Sequence, residues 1–192
     1  MLNLTNSLKI LKNLNIAKYE EVNEKSLVEE SAKIQFPLYL KINSGEHKAK
    51  LGAVRLCNNF KELQDNFNNL SKKFSDSSFI IQEKIDGQEM VLGIKQDKTF
   101  GKLLMIGIGG SLIEQIKDIK FRKTPVSNQE IKTAIEKLQF YEFIKKKLNE
   151  SNLASLIDDA IELQTLNVKE ADLNPVILTE NKAVIVDARI ES

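Results

Sequence analysis

At 192 residues the chain suits one domain or two small lobes, and a hydrophobic fraction of 42% supplies a real core. Charged residues make up 29% but balance to a net charge of +1, so no field of one sign directs the chain to nucleic acid or to a membrane surface. The single cysteine, Cys57, excludes an internal disulfide and leaves the compartment open, although a reducing cytoplasm fits, and the single histidine, His47, leaves a structural zinc site without its usual ligands. No apolar run approaches the roughly 20 residues that a bilayer span needs. The opening MLNLTNSLKILKNLN lacks the continuous apolar core of a signal peptide.

In chain order, the spacing of Leu8, Leu11 and Leu14 predicts a helix over 4–14, capped by Thr5 or Asn6. Residues 15–19 are expected to be an extended link. A second helix is expected over 25–34, with Ser26 as cap and Glu29 and Glu30 at its positive end. Pro37 ends it, and Leu38–Ile42 reads as a strand. Lys41 lies inside that apolar strand, either snorkelling to the surface or meeting a phosphate as a point charge. The polar loop 43–53 holds two glycines, two more lysines and His47, and returns as the strand Val54–Leu56. Strand, loop and strand with open backbone N–H groups can cover polyphosphate, although the Walker spacing is absent. Residues 59–74 form an amphipathic helix whose Phe60, Leu63, Phe67 and Leu70 are core.

Strands follow at 79–85 and 89–94, then a hairpin turn over 95–102 and a return strand 103–106. The backbone edge of Gln82, Glu83, Lys84 and Ile85 can pair with an adenine rim or act as a hinge without a ligand. The Gly107-Ile108-Gly109-Gly110 run is a tight turn or a loop lining a cleft. Arg122 can pair with a phosphate or with a surface carboxylate. Helices are expected over 128–138, capped by Ser127, then over 139–149 and 153–166. The chain closes on a hairpin in which Val176–Leu178 lead out, Thr179–Lys182 turn and Ala183–Val186 lead back. Pairing those strands brings Asn174 and Asp187 together. An amide oxygen beside a carboxylate on rigid strands is a half-shell for Mg²⁺, which takes few protein ligands and completes its octahedron with water and phosphate. A hairpin with a merely polar rim is the other reading. The whole order predicts an α+β chain in two lobes, 1–83 and 84–192, with no long linker.

These stretches resemble one family. FPLYLKI at 36–42, EHKAKLGAVRL at 46–56, FIIQEKIDGQEMVLGI at 79–94, DKTFGKLLMIGIGGSLIEQIKDIKFRKTP at 97–125, and EADLNPVIL with AVIVDARI within 170–190 occur in the order found in the β subunit of ADP-forming acetyl-CoA synthetase. That protein is an acyl-CoA synthetase of the succinyl-CoA synthetase type. The resemblance implies a two-lobed ATP-grasp fold with nucleotide bound between the lobes. It implies that Lys41 contacts nucleotide phosphates, that Gln82, Glu83, Lys84 and Ile85 form the adenine-binding hinge, and that Glu89 helps to hold the nucleotide. Asn174 and Asp187 match the Mg²⁺ ligands, His47 a histidine that carries a phosphoryl group towards the nucleotide, and Asp172 an acidic residue that supports the phosphohistidine. ATP or ADP and Mg²⁺ are the implied cofactors. Acyl-CoA, ADP and phosphate would become acid, CoA and ATP, and a CoA-binding α subunit would complete a hetero-oligomer.

Two departures bear on the loop. Where the family has an acidic residue and a second glycine after the histidine, this chain has Lys50 and Ala53. The reversed charge at Lys50 leaves a nucleotide-sensing or regulatory ATP-grasp-like module as the alternative. The family's FGP is FGK here, at Phe100–Lys102.

Overall fold

The structure, a computed structural model describing residues 1–44, 52–110 and 118–191, separates by internal packing into two units. The smaller comprises Leu2–Asn6 and Ala17–Lys84, and the larger comprises Met1, Ser7–Ile16 and Ile85–Ser192. The sequence reading divides the chain once, between 83 and 84. Residues 7–16 group instead with the larger unit because their end joins its sheet. The Ile185 N–H donates to the Asn15 carbonyl at 2.7 Å, and Ile16 bridges Ile185 in parallel.

Helix α1 (Leu4–Ile10) is shorter than expected. Asn3 supplies the capping oxygen, to the Asn6 N–H at 2.9 Å, because Thr5 is bonded to Asn43. Strand β1 (Tyr19–Val22) follows, where only an extended link was expected, and then α2 (Leu27–Ser31). The start of α2 is delayed by a local turn: the Asn23 carboxamide accepts the Lys25 and Ser26 N–H groups, and Ser26 Oγ accepts from Asn23 instead of capping. Strands β2 (Leu38–Ile42) and β3 (Val54–Cys57), helix α3 (Phe60–Lys73) and strand β4 (Phe79–Glu83) complete the smaller unit. Its four-stranded antiparallel sheet has the order β1-β4-β2-β3, so α3 carries the chain across β2. Asn59 caps α3 by accepting the Glu62 N–H, and Leu63, Phe67 and Leu70 bury one face against Leu38, Leu40 and Ile81.

In the larger unit, β5 (Gln88–Asp97), β6 (Gly101–Ile108), β7 (Ile119–Lys123), β8 (Glu170–Leu178), β9 (Ala183–Ile185) and β10 (Ala188–Glu191) form a six-stranded antiparallel sheet ordered β10-β8-β5-β6-β7, with β9 added to β8. β7 was not expected. It lies on the sheet edge, and its IKFRK sequence is half-solvated. Helices α4 (Asn128–Glu136), α5 (Tyr141–Lys145) and α6 (Glu150–Thr165) follow, and α4 and α6 pack on the sheet and on each other. The Ser127–Glu130 capping box starts α4 as expected. The basic stretch 139–149 yields only the short α5, because Asp118 accepts the Gln139 and Phe140 N–H groups, both at 2.9 Å, and anchors the turn before it. Among the described residues no helix is long and apolar enough to cross a membrane.

The substitution at the FGP position has a structural role. Lys102 Nζ donates to the Gln164 and Leu166 carbonyls, at 2.7 and 2.5 Å, at the carboxyl end of α6. The Gln164 side chain in turn grips both backbone groups of Val126, tying α6 to the start of α4. Lys102→Met is expected to cost about 1–2 kcal/mol, seen as a lower midpoint in thermal or urea unfolding.

Asp159 on α6 is the strained carboxylate of this unit. Its Oδ1 accepts the Asn15 backbone and side-chain N–H groups at 3.2 and 3.3 Å, while Oδ2 has no partner among the described residues. Burial pushes the carboxyl up from 3.8 to about 6, and the Asn15 bonds offset only part of that. Between those two values the folded chain holds a proton that the unfolded chain releases, so stability falls as pH rises through the window and the loss is complete above it. Asp159→Asn is therefore expected to raise the melting temperature at pH 7.5, by an amount equivalent to about 2–3 kcal/mol. It should also flatten the dependence between pH 4 and 6.5, as measured by calorimetry at about 0.5-unit steps.

Candidate functional site

The polar end of the last hairpin is built by a mismatch of pairing. Strand β8 pairs Leu173 with Ala188 of β10 and Val176 with Ile185 of β9, which leaves Asn174 and Pro175 opposite Val186 and Asp187. On the other side, Met90 pairs with Val176 and Leu92 with Leu173, so two residues of β8 face one of β5 in a bulge. The Asn174–Pro175 peptide is cis. The Asn174 N–H donates to the Asp187 carbonyl and the Val186 N–H to the Pro175 carbonyl, both at 3.2 Å. Asn174 and Asp187 are thus backbone neighbours, as the sequence reading required, and both are half-buried. The Asp187 carboxylate also accepts the Ala188 N–H at 2.9 Å, which orients it.

Among the described residues no cluster of three or more His, Cys, Asp or Glu side chains is arranged to hold a metal ion. One amide oxygen on β8 and one carboxylate at the break between β9 and β10 fit Mg²⁺, a hard cation that keeps several waters and takes one or two carboxylates. They do not fit zinc or copper, which want imidazole or sulfur.

Register places two more charges on the sheet. Asp172 stands opposite Gly93 of β5 and Arg189 of β10, so the three share one face. The Arg189 guanidinium is bonded to the Asp172 carboxylate, with side-chain exposures of only 19% and 21%. The sequence reading missed Arg189. Its signal was the strand alternation Asp187-Ala188-Arg189 set against the alternation on β8. Glu89, two positions before Val91 on β5, packs under the glycine turn. Its carbonyl accepts the Gly109 N–H at 3.0 Å, and Gly110, at φ 103°, would place a Cβ 3.3 Å from Glu89 Oε2. Gly110 is required by its positive φ, and at Gly109 a Cβ would crowd the Met90 carbonyl and the Glu89 backbone, at 3.1 and 3.2 Å. Arg122 donates to the neighbouring Phe121 carbonyl at 2.8 Å.

In the smaller unit, Leu38, Leu40 and Ile42 face α3, so alternation puts Tyr39 and Lys41 on the opposite face of the sheet. Lys41 is buried, at 7% exposure. Its Nζ donates to Gln82 Oε1 at 2.5 Å and lies 5.8 Å from the centre of the Tyr39 ring. Gln82 lies in the central strand β4, with Tyr19 and Tyr39 as its partners on the two sides. The Glu83 N–H donates to the Lys18 carbonyl at 3.0 Å, and the Glu83 carboxylate accepts the Lys18 N–H. Sheet pairing thus engages the backbone of Gln82 and the N–H of Glu83. Lys84 and Ile85 lie past the strand end, where the chain leaves the smaller unit. What the sequence reading did not anticipate is the Gln82 side chain as the partner of Lys41. His47 and Lys50 lie outside the described residues, and Ala53 is fully buried in the smaller unit's core.

The arrangement offers a buried cation with amide support on one unit. On the other it offers an oxygen pair suited to a divalent cation, beside Glu89 and the Asp172–Arg189 pair. Taken separately, the first suits an anion and the second a hydrated divalent cation.

Similarity to known proteins runs along the whole chain. The family model for the ATP-grasp domain matches residues 1–191. The β subunit of ADP-forming acetate–CoA ligase I from Pyrococcus furiosus is 29% identical over 186 residues, which covers 88% of this chain and 80% of that protein. ADP-forming acetate–CoA ligase II of Archaeoglobus fulgidus is 27% identical over 176 residues. There the match covers 87% of this chain but only 26% of that longer protein. The structure of acetyl-coenzyme A synthetase 1 of Ca. Korarchaeum cryptofilum, in complex with coenzyme A and Ca-AMPCP, superposes with a TM-score of 0.87 at 24% identity, covering 98% of this chain and 92% of that one. The α+β chain, with its two antiparallel sheets and its end-to-end family match, belongs to the ATP-grasp family.

Proposed function

We propose that the chain is the nucleotide-binding β subunit of an ADP-forming acyl-CoA synthetase, with acetyl-CoA as the acyl donor its relatives suggest. It would act with a CoA-binding α subunit in a hetero-oligomer. The observation that carries this reading is the pairing of Asn174 with Asp187 at the break between β9 and β10, in a chain similar along its length to a β subunit of acetate–CoA ligase.

In this reading, Asn174 and Asp187 hold Mg²⁺, which would supply charge neutralisation to the phosphates of ADP. Lys41 adds a cation to the phosphates, Glu89 fixes the nucleotide beside the glycine turn, and Lys84 and Ile85 offer the backbone edge for the base. The transfer is a displacement at phosphorus. The P–N bond of a phosphohistidine whose other ring nitrogen carries a proton breaks as a terminal phosphate oxygen of ADP forms the new P–O bond; the P–N electron pair stays on nitrogen, giving ATP and a neutral imidazole. His47 is the residue of this chain proposed to relay that phosphoryl group. Asp172 supports the phosphohistidine through its carboxylate, and Arg189 sets that carboxylate's orientation.

The Asp172–Arg189 pair also favours a second reading, because it ties up the carboxylate. In that reading the chain is a nucleotide-sensing ATP-grasp module that binds Mg-ADP without turning it over.

Assays of the chain with its α partner separate the two. His47→Ala and Asn174→Ala are each expected to abolish ATP formation while leaving the circular dichroism spectrum unchanged. Asp187→Asn should lower activity by about 10²-fold, partly restored by raised Mg²⁺. Wild-type activity in both alanine variants would contradict the enzyme reading. Mg-ADP binding with no ATP formed by the native chain and partner would favour the sensor.

A further inference from the structure

The two ends of the Gln82 carboxamide are treated differently by the smaller unit. The side chain is fully buried on the face of the sheet that carries Tyr39 and Lys41. Lys41 Nζ meets the amide at 2.5 Å. An ammonium has donors and no lone pair, so only the amide oxygen can face it, and that contact fixes which way round the carboxamide lies. Nε2 must then point away from Lys41, and it meets no acceptor among the described residues. A buried NH₂ group in that state is costly unless a ligand supplies the acceptor.

The residue type matters as much as the contact. A glutamate at this position would offer Lys41 a stronger hydrogen bond and would cancel its charge. Glutamine orients the ammonium and adds no negative charge to it. The pair therefore presents donors alone, one cationic and one neutral, from a rigid three-strand platform of β1, β4 and β2. That combination suits an anion with several acceptor oxygens.

We propose that Gln82 is a positioning residue for the phosphates of a bound nucleoside diphosphate: its Oε1 fixes Lys41 without discharging it, and its Nε2 donates to an oxygen of the same ligand. The inference rests on the phosphate role proposed above for Lys41. It moves Gln82 from a backbone contact with the base to a side-chain contact with the phosphates.

The test measures Mg-ADP binding by titration calorimetry and adenosine binding by ligand-detected NMR, on the native chain and on Lys41→Met, Gln82→Glu and Gln82→Met. Gln82→Glu is nearly isosteric, so the fold should persist, and Gln82→Met serves if it does not. Both Gln82 variants are expected to weaken Mg-ADP by about 10- to 100-fold and to leave adenosine unchanged. With the α partner present, KM for ADP should rise by more than kcat falls. The Lys41→Met/Gln82→Glu double variant should bind more weakly than Lys41→Met alone, because the Nε2 contact is lost as well, but by less than the two single losses added together. Native Mg-ADP affinity in the Gln82 variants, or an equal loss for adenosine and Mg-ADP, overturns the proposal. If Lys41→Met weakens Mg-ADP but Gln82→Glu does not, only the role of Gln82 falls. If Lys41→Met also binds as the native chain does, the phosphate role of Lys41 falls with it.

Discussion

The candidate site depends on one constraint in the last hairpin: β8 is shared between two short strands that do not join. Leu173 is paired with Ala188 and Val176 with Ile185, and all four are essentially inaccessible. A slip of one residue in either pairing would turn Leu173 or Val176 out of the core, at roughly 1.5–3 kcal/mol for each large side chain exposed. Asn174 and Asp187 are therefore placed side by side by the burial of their apolar neighbours. Neither needs to stabilise the fold itself. The Thr179–Lys182 turn adds its own restraint, because the Thr179 N–H donates to the Lys182 carbonyl at 2.9 Å and starts the count from which both positions follow.

The same logic operates in the smaller unit. Leu38, Leu40 and Ile42 are committed to α3, so Lys41 has no choice of face. Carrying a lysine at 7% exposure is unfavourable unless its ammonium is hydrogen-bonded, and Gln82 meets part of that need from the neighbouring strand. In both units, apolar alternation along a strand determines where a polar functional group points. The polar groups then bond to one another in ways that the alternation does not specify.

That division explains what was legible in the sequence. The hairpin could be read because its β-branched runs flank an unambiguous polar turn, and counting back from the turn brought Asn174 to Asp187. Helix α3 and the Ser127–Glu130 cap were equally plain, through apolar spacing and local hydrogen-bond chemistry. The ATP-grasp expectation, drawn from ordered motifs, holds across residues 1–191. Strands β1 and β7 were hidden because each lies on a sheet edge, where half the side chains are solvated and the alternation fades into Glu, Lys and Arg. Helix α2 was overestimated because the Asn23 turn competes with it. The division of residues 2–16 between the two units was invisible, since it depends on Thr5 meeting Asn43 and Asn15 meeting Asp159 and Ile185, contacts between segments far apart in the chain. The partners of the site residues, Arg189 for Asp172 and Gln82 for Lys41, required cross-strand register, which one strand's sequence does not state.

The central claim is that Asn174 and Asp187 bind the metal of a metal–nucleotide complex. Paramagnetic broadening tests it most directly, with Mn-ADP titrated into chain labelled in its Asn and Asp side-chain carbonyl carbons, and with the two signals assigned by single substitutions. The account predicts that the Asn174 and Asp187 signals broaden first and most strongly, and that Mg-ADP reverses the effect. Saturation with Mn-ADP that leaves both signals sharp while others broaden would contradict it.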